Sequence, residues 1–188
     1  MRIISGSFKG KKILLPKDKL TRPLKDLTKE SIFNILKHSK LLKVELENSN
    51  ILDLFSGVGS FGLECLSRGA KNVTFIESYT DVLNILKKNI DSLNKQNKTK
   101  IIEKDIFSEN TLKLLNDKFD IIFMDPPYKE KKLSFLLNAI TKLQLLNTGG
   151  IIIIHRHKKE VDNLPKEFNL ILEKNYGISK IIYGNTLT

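Results

Sequence analysis

Asp125, Pro126, Pro127 and Tyr128 end a short apolar run, Phe119-Asp120-Ile121-Ile122-Phe123-Met124, and their types suit the capture of a flat ring that carries an exocyclic amine. The Asp125 carboxylate and the Pro126 carbonyl are two acceptors for the two hydrogens of an NH2 group, and Tyr128 offers a ring face for stacking. A nitrogen conjugated to a ring is a poor nucleophile, so drawing its hydrogens toward two acceptors favours a pyramidal atom whose lone pair can attack. Chemistry of this kind needs positioning and no metal. Both prolines lack an N–H, fix their own φ and push the preceding residue out of the helical region, so the strand must stop and the loop is stiff.

A second set of residues lies upstream. Ile51-Leu52-Asp53-Leu54-Phe55 leads into Ser56-Gly57-Val58-Gly59-Ser60-Phe61-Gly62, a Gly-x-Gly-x-x-Gly turn between a strand and a helix read from Leu63 to Arg68. Such a turn lets the backbone approach a nucleotide-like ligand closely, and alone it does not say which one. Glu77 ends the next apolar run, from Val73, and lies twenty positions after Gly57, where a carboxylate can accept from both hydroxyls of a ribose. Asp105 ends a third run, from Lys100, where it could accept from an adenine amino group; Ile106 follows it.

A scaffold must deliver these residues to one place. Short strands alternate with helical spacing at Thr80 to Leu93 and from about Leu133 to Leu146, followed by Gly149-Gly150 and the strand Ile151 to Ile154. Two more strands are expected near Phe168 to Leu172 and Ile181 to Tyr183, as an antiparallel closing hairpin. This order predicts an α/β fold, a doubly wound and mainly parallel sheet, which binds ligands just beyond the carboxyl ends of its strands.

Ahead of that sheet, Arg2-Ile3-Ile4 and Lys12-Ile13-Leu14-Leu15 flank Gly6 and Gly10 and read as a small basic β-hairpin. Apolar residues from Leu24 to Leu36 fall near helical spacing, and the polar stretch from Val44 to Asn50 reads as a linker. Of the net charge of +11, residues 1–44 carry +9, from 12 basic residues against three acids. Lysine-rich composition alone would spread the charge evenly, so this concentration points to a polyanion, most simply nucleic acid. Residues 1–44 are therefore expected to form an RNA-binding extension, with Arg2, Lys9, Lys11, Lys12 and Arg22 as its contacts, and residues 45–188 the main domain.

Other classes are disfavoured. The single Cys65 excludes an internal disulfide and reads as a buried, inert thiol. His155 and His157 flank Arg156 and precede Lys158 and Lys159, a poor electrostatic setting for a metal. The first residues lack the apolar core of a signal peptide, and no run approaches membrane-spanning length, so a cytoplasmic protein is expected.

Asp53-x-Phe55-x-Gly57-x-Gly59, Glu77, Asp105 and Asp125-Pro126-Pro127-Tyr128, in order on successive strands, resemble an S-adenosylmethionine-dependent amino methyltransferase of the Rossmann-like class I. With Arg2-Ile3-Ile4-Ser5-Gly6, Lys9-Gly10, Thr21-Arg22-Pro23, Glu30 with Ile32-Phe33-Asn34-Ile35-Leu36, Leu66-Ser67-Arg68-Gly69-Ala70 and Tyr176-Gly177, nearly the whole chain resembles the RsmD family of bacterial 16S ribosomal RNA guanine-N2 methyltransferases. That resemblance implies catalytic roles for Asp125, Pro126, Pro127 and Tyr128. It implies cofactor contacts from Asp53, Phe55, Gly57, Gly59, Glu77, Asp105 and Ile106, S-adenosylhomocysteine as product, and no metal. The implied partner is 16S ribosomal RNA within an assembled or assembling small ribosomal subunit, met by a monomer. The chain departs from the family at Ile154, where an acid usually precedes His155, and at Ile178-Ser179-Lys180 after Tyr176-Gly177.

The motifs leave alternatives open. An NAD-dependent oxidoreductase shares the glycine turn but has no use for Asp125 to Tyr128 or for a basic arm. A non-catalytic RNA-binding assembly factor explains the arm but not the retained amine-binding residues. An adenine-N6 or other nucleic-acid amino methyltransferase shares the Asp-Pro-Pro-Tyr box.

Overall fold

The computed structural model describes residues 1–17, 24–108 and 110–187. Helix α1 spans Asp26–His38 and precedes the alternating part of the chain: β1 Asn50–Leu54, α2 Ser60–Ser67, β2 Asn72–Glu77, α3 Thr80–Ser92 and β3 Thr99–Glu103. Then come β4 Phe119–Met124, α4 Leu133–Lys142, β5 Leu146–His157, β6 Phe168–Tyr176 and β7 Ser179–Thr186. The sheet order is β3-β2-β1-β4-β5-β7-β6. Strands β1 to β5 are mutually parallel, while β7 runs antiparallel between β5 and β6. The doubly wound expectation and its closing hairpin hold.

Period-two alternation sorts each strand's side chains onto the two faces. Ile51, Val73, Phe75, Ile121, Phe123, Ile151, Ile153 and Tyr183 share one buried cluster with Ile32, Phe33 and Leu36 of α1 and with apolar residues of α2 and α3. Leu52, Leu54, Ile76, Ile122, Met124, Ile152 and Ile154 face the other way, against Leu133, Leu136, Leu137 and Ile140 of α4. On the first face Phe61 stacks between Phe33 and Phe123, with ring centroids 5.2 and 4.0 Å away. Both faces of the sheet being covered explains why its strands read as nearly continuous apolar runs.

Several boundaries differ from the sequence reading. α2 begins at Ser60, because Gly59 takes the left-handed conformation (φ 83°) and caps it, a geometry that costs glycine least. α4 stops at Lys142, and Gln144 (φ 51°) turns the chain, so Leu146 belongs to a twelve-residue β5 that runs on through Gly149 and Gly150. β3 ends at Glu103, which puts Asp105 in the following loop.

The first thirteen residues form a loop closed by one antiparallel bridge, Arg2 to Lys12, without regular strands. Four of their backbone amides are satisfied by α2. Glu64 accepts from the Ile4 and Ser5 amides at 2.7 and 3.0 Å, and Ser67 accepts through its carbonyl from Ser7 N–H and through its hydroxyl from Phe8 N–H. Ile3 and Ile13 are buried in the same cluster as α2. Lys29 of α1, fully buried, donates to the Arg2 carbonyl at 2.8 Å and lies 3.6 Å from Glu64, which also pairs with Arg68. Burial lowers the Lys29 pKa, against the raising influence of Glu64 and Asp26.

Candidate active site

The strand order reverses between β1 and β4, which lie side by side with Asp53 level with Phe123 and Leu54 level with Met124. In an open α/β sheet a crevice forms at that reversal, beyond the carboxyl ends of the strands. The chain leaves β1 into the glycine turn and β4 into Asp125. The Asp125 amide donates to the Leu54 carbonyl at 3.5 Å, so the two exits adjoin.

Asp53 sits within β1 at 1% exposure, and its carboxylate accepts from Gly62 N–H in α2 at 3.0 Å. Burial pushes its pKa well above the usual carboxylate range; the Gly62 amide opposes the rise, and the neighbouring charges of Asp125 and Glu77 add to it. The three carboxylates thus converge. Glu77, the last residue of β2, accepts from Gly57 N–H at 2.8 Å through one oxygen and from Ser78 and Tyr79 N–H at 2.8 and 2.9 Å through the other. Three of its roughly four acceptor sites are filled, and the glycine turn is tied to β2. Phe55, with φ 57°, holds a left-handed conformation that costs an aromatic residue about 1–2 kcal/mol, and its ring meets Phe107 at 5.9 Å. Asp105 is exposed and accepts from Phe107 N–H at 2.9 Å, whereas Ile106 is buried beneath it.

The fit to S-adenosylmethionine can be judged from these groups. Its ammonium and sulfonium are cationic, and the Glu77 and Asp125 carboxylates at the crevice suit them, while buried Asp53 holds the Gly62 amide beneath. Among the described residues no group of three His, Cys, Asp or Glu side chains is arranged to hold a metal ion.

Asp125 has a partner that spacing did not disclose. β4 and β5 are in register with Met124 level with Ile154, so the next residues, Asp125 and His155, come out together. His155 Nδ1 lies 2.8 Å from Asp125 Oδ1, and its Nε2 lies 2.9 Å from the Ser179 hydroxyl. A carboxylate only accepts, so with Asp125 ionised we assign the hydrogen to Nδ1, leaving Nε2 to accept from Ser179. One Asp125 oxygen is then committed to the protein. Tyr128 is partly exposed and meets the His157 ring edge-on at 5.2 Å and that of His155 at 6.3 Å.

Beneath this loop lies Arg156, wholly buried. It donates to the Pro127 carbonyl at 3.1 Å and the Glu130 carbonyl at 2.9 Å, and it holds Asp162 with contacts of 2.8 to 3.1 Å. A charged His-Arg-His at a strand end reads as surface; the signal that could have located it is the length of the apolar run before it, which predicts burial past Ile154.

Lys9 and Lys11 of the N-terminal segment are placed elsewhere. Lys11 Nζ donates to the carbonyl of Ser92 in the last turn of α3, and Phe8 lies 5.6 Å from the Lys95 ammonium. Helices that cross between parallel strands run back against them, so the ends of α2 and α3 lie at the sheet edge opposite Asp125. Arg2 and Lys9 line a cleft with Asp26 and Glu30, and Arg22 falls outside the described residues. Catalytic and cofactor candidates are therefore brought together, and Lys9 and Lys11 are not among them.

A family model described as conserved hypothetical protein 95 matches residues 1–185. The chain is 31% identical to ribosomal RNA small subunit methyltransferase D of Haemophilus influenzae over 98% of its own length and 94% of that protein's. To the Escherichia coli protein of the same description it is 30% identical, over 94% of the chain and 85% of the relative. A solved Escherichia coli structure, provisionally described as a methyltransferase, superposes with a TM-score of 0.79 at 26% identity, covering 100% of this chain and 99% of that one.

Proposed function

Because this chain belongs to the RsmD family, we propose that it transfers a methyl group from S-adenosylmethionine to the exocyclic N2 amine of a guanine in 16S ribosomal RNA. The observation that carries the proposal is Asp125 held by His155 at the crevice where Asp53 and Glu77 also converge. S-Adenosylmethionine supplies an electrophilic methyl group on a sulfonium that leaves as a neutral thioether. Asp53, Glu77, Asp105 and the turn from Phe55 to Gly59 are the residues that would hold it, with Ile106 forming apolar wall.

The work left to the protein is to prepare the amine. Donation from His155 fixes the plane of the Asp125 carboxylate and leaves Oδ2 as its acceptor for one amine hydrogen. The Pro126 carbonyl takes the other, and both acceptors stand on a loop that Arg156 braces from below. Tyr128, buttressed by His157, stacks on the base. The amine that has gained a methyl carries an extra proton, and Asp125 Oδ2 is the adjacent base that can take it before release to water. A base must leave its stack to enter such a crevice. The protein is proposed to act as a cytoplasmic monomer on the small subunit or its RNA, and among the described residues no helix is long and apolar enough to cross a membrane.

The test is methylation of ribosomal RNA and of small subunits lacking the modification, with labelled S-adenosylmethionine and nucleoside analysis. N2-methylguanosine is the expected product. N6-methyladenosine would move the activity to adenine, and cofactor binding without incorporation into any RNA would leave an assembly factor.

A further inference from the structure

We propose that the rim of the crevice is a clamp for RNA phosphates, formed by Lys129 in the loop after β4 and by Lys158 and Lys159 in the loop after β5. It rests on the reading of the crevice as an RNA methyltransferase site and says where that RNA is gripped. A base drawn into the crevice stays attached to its backbone, so its flanking phosphates must lie at the mouth. The loop of Phe8 to Lys11, the expected contact from charge alone, lies at the other edge of the sheet. α3 has 13 residues and is about 20 Å long, so its last turn lies about 14 Å from its first, which places Lys11 away from the mouth.

The two rim loops are one construction. Arg156 joins them by its bonds to the Pro127 and Glu130 carbonyls on one side and to Asp162 on the other. Lys131 crosses to Glu160 at 2.9 Å, and the Tyr128 and His157 rings meet at 5.2 Å. Residues 126–132 and 155–162 carry six Lys or Arg against three acids. Each acid is already engaged: Asp162 by Arg156, Glu160 by Lys131, and Glu130 by the Lys132 amide at 2.7 Å. Lys129, Lys158 and Lys159 are exposed, and among the described residues no carboxylate lies within ion-pair distance of any of them. Three uncompensated ammonium groups on a braced platform beside Asp125 are a preorganised match to the phosphates either side of one nucleotide.

Two variants of equal charge change separate position from net charge: Lys129→Glu/Lys158→Glu/Lys159→Glu at the rim and Lys9→Glu/Lys11→Glu/Lys12→Glu in the N-terminal loop. Affinity for small-subunit RNA is measured across a salt series, with S-adenosylmethionine affinity by calorimetry reporting the fold. The rim variant is expected to bind RNA at least tenfold more weakly than the loop variant. Its dependence of log affinity on log salt should be shallower than wild type by about 2, as expected for three lost contacts to single-stranded RNA. Should charge reversal at the rim abolish cofactor binding, the Lys→Gln triple carries the same comparison. A rim variant no weaker than the loop variant overturns the clamp. Wild-type protein that neither binds nor methylates ribosomal RNA overturns instead the functional reading on which it rests.

Discussion

Asp125 and His155 can be tested as a pair by single substitutions. Asp125→Ala should leave cofactor affinity near normal and lower single-turnover methyl transfer at least about a hundredfold, the usual cost of losing a preorganised polar group. His155 is predicted to act through Asp125, so replacements should sort by which nitrogen they reproduce. His155→Asn puts an amide donor where Nδ1 stands and should retain most of the rate, while His155→Gln, which reaches toward Ser179, should lose on the order of 100-fold, the effect of roughly 1 Å of misplacement. Equal losses in the two variants would reduce His155 to a packing residue. Asp53 offers a pH test. Its folded pKa is raised above the unfolded one by burial, so its contribution to stability is complete below the unfolded value and is lost as pH rises through the folded one. Asp53→Asn does not titrate. Urea midpoints of the variant should therefore gain on wild type as pH is raised from about 4, the ordinary carboxylate value, toward neutrality; parallel pH profiles would show that Asp53 does not titrate with a raised pKa.

At the level of elements, the loop after β4 depends on β5 more than on the strand that delivers it. Arg156→Met keeps length and removes every donor, which leaves Asp162 at 7% side-chain exposure with only Lys180, 4.0 Å away, in place of its close guanidinium contacts. The expected cost is about 3–5 kcal/mol in urea unfolding, with methyl transfer falling further than cofactor affinity. The N-terminal loop is bound to α2 by an equally local demand: a Cβ on Gly6 (φ 83°) would lie 1.9 Å from the Ser67 carbonyl oxygen. Gly6→Ala should therefore destabilise by about 2 kcal/mol or more and raise amide exchange at Ile4 and Ser5. These dependencies mark the limit of what spacing discloses. The apolar runs ending at Glu77 and Asp125 were legible because burial on both faces leaves a continuous signature, and with them came the order of motifs around the crevice. Arg156 and Glu64 were not, since a charged residue reads as surface until its partners are known: Asp162 and the Glu130 carbonyl for Arg156, and Lys29, Arg68 and the Ile4 amide for Glu64. Gly149-Gly150 misled as a break between elements: β5 continues on both sides of it, with Leu146 level with Phe119 and Ile151 level with Ile121, and the register to β4 shifts between those two pairs.

For the whole molecule, the crevice draws on β1, β2, β3, β4 and β5 together, so ligand binding should report on global stability. S-Adenosylmethionine at 100 times its Kd should add about 2.7 kcal/mol to the unfolding free energy. For a chain of 188 residues that raises Tm by about 5–10 °C. Glu77→Ala at the same ligand concentration should show a smaller rise, and an equal rise would remove Glu77 from the cofactor's contacts. The fastening of residues 1–13 to α2 also has a consequence in time. The carboxylate that receives the Ile4 amide lies 60 positions later in the chain. At a synthesis rate of about 5–20 residues per second, the leading segment is complete for roughly 3–10 s before Glu64 has been added. Through that interval Ile3 and Ile13 have no α2 to pack against, and the order of manufacture obliges the most basic part of the nascent chain to wait for its anchor.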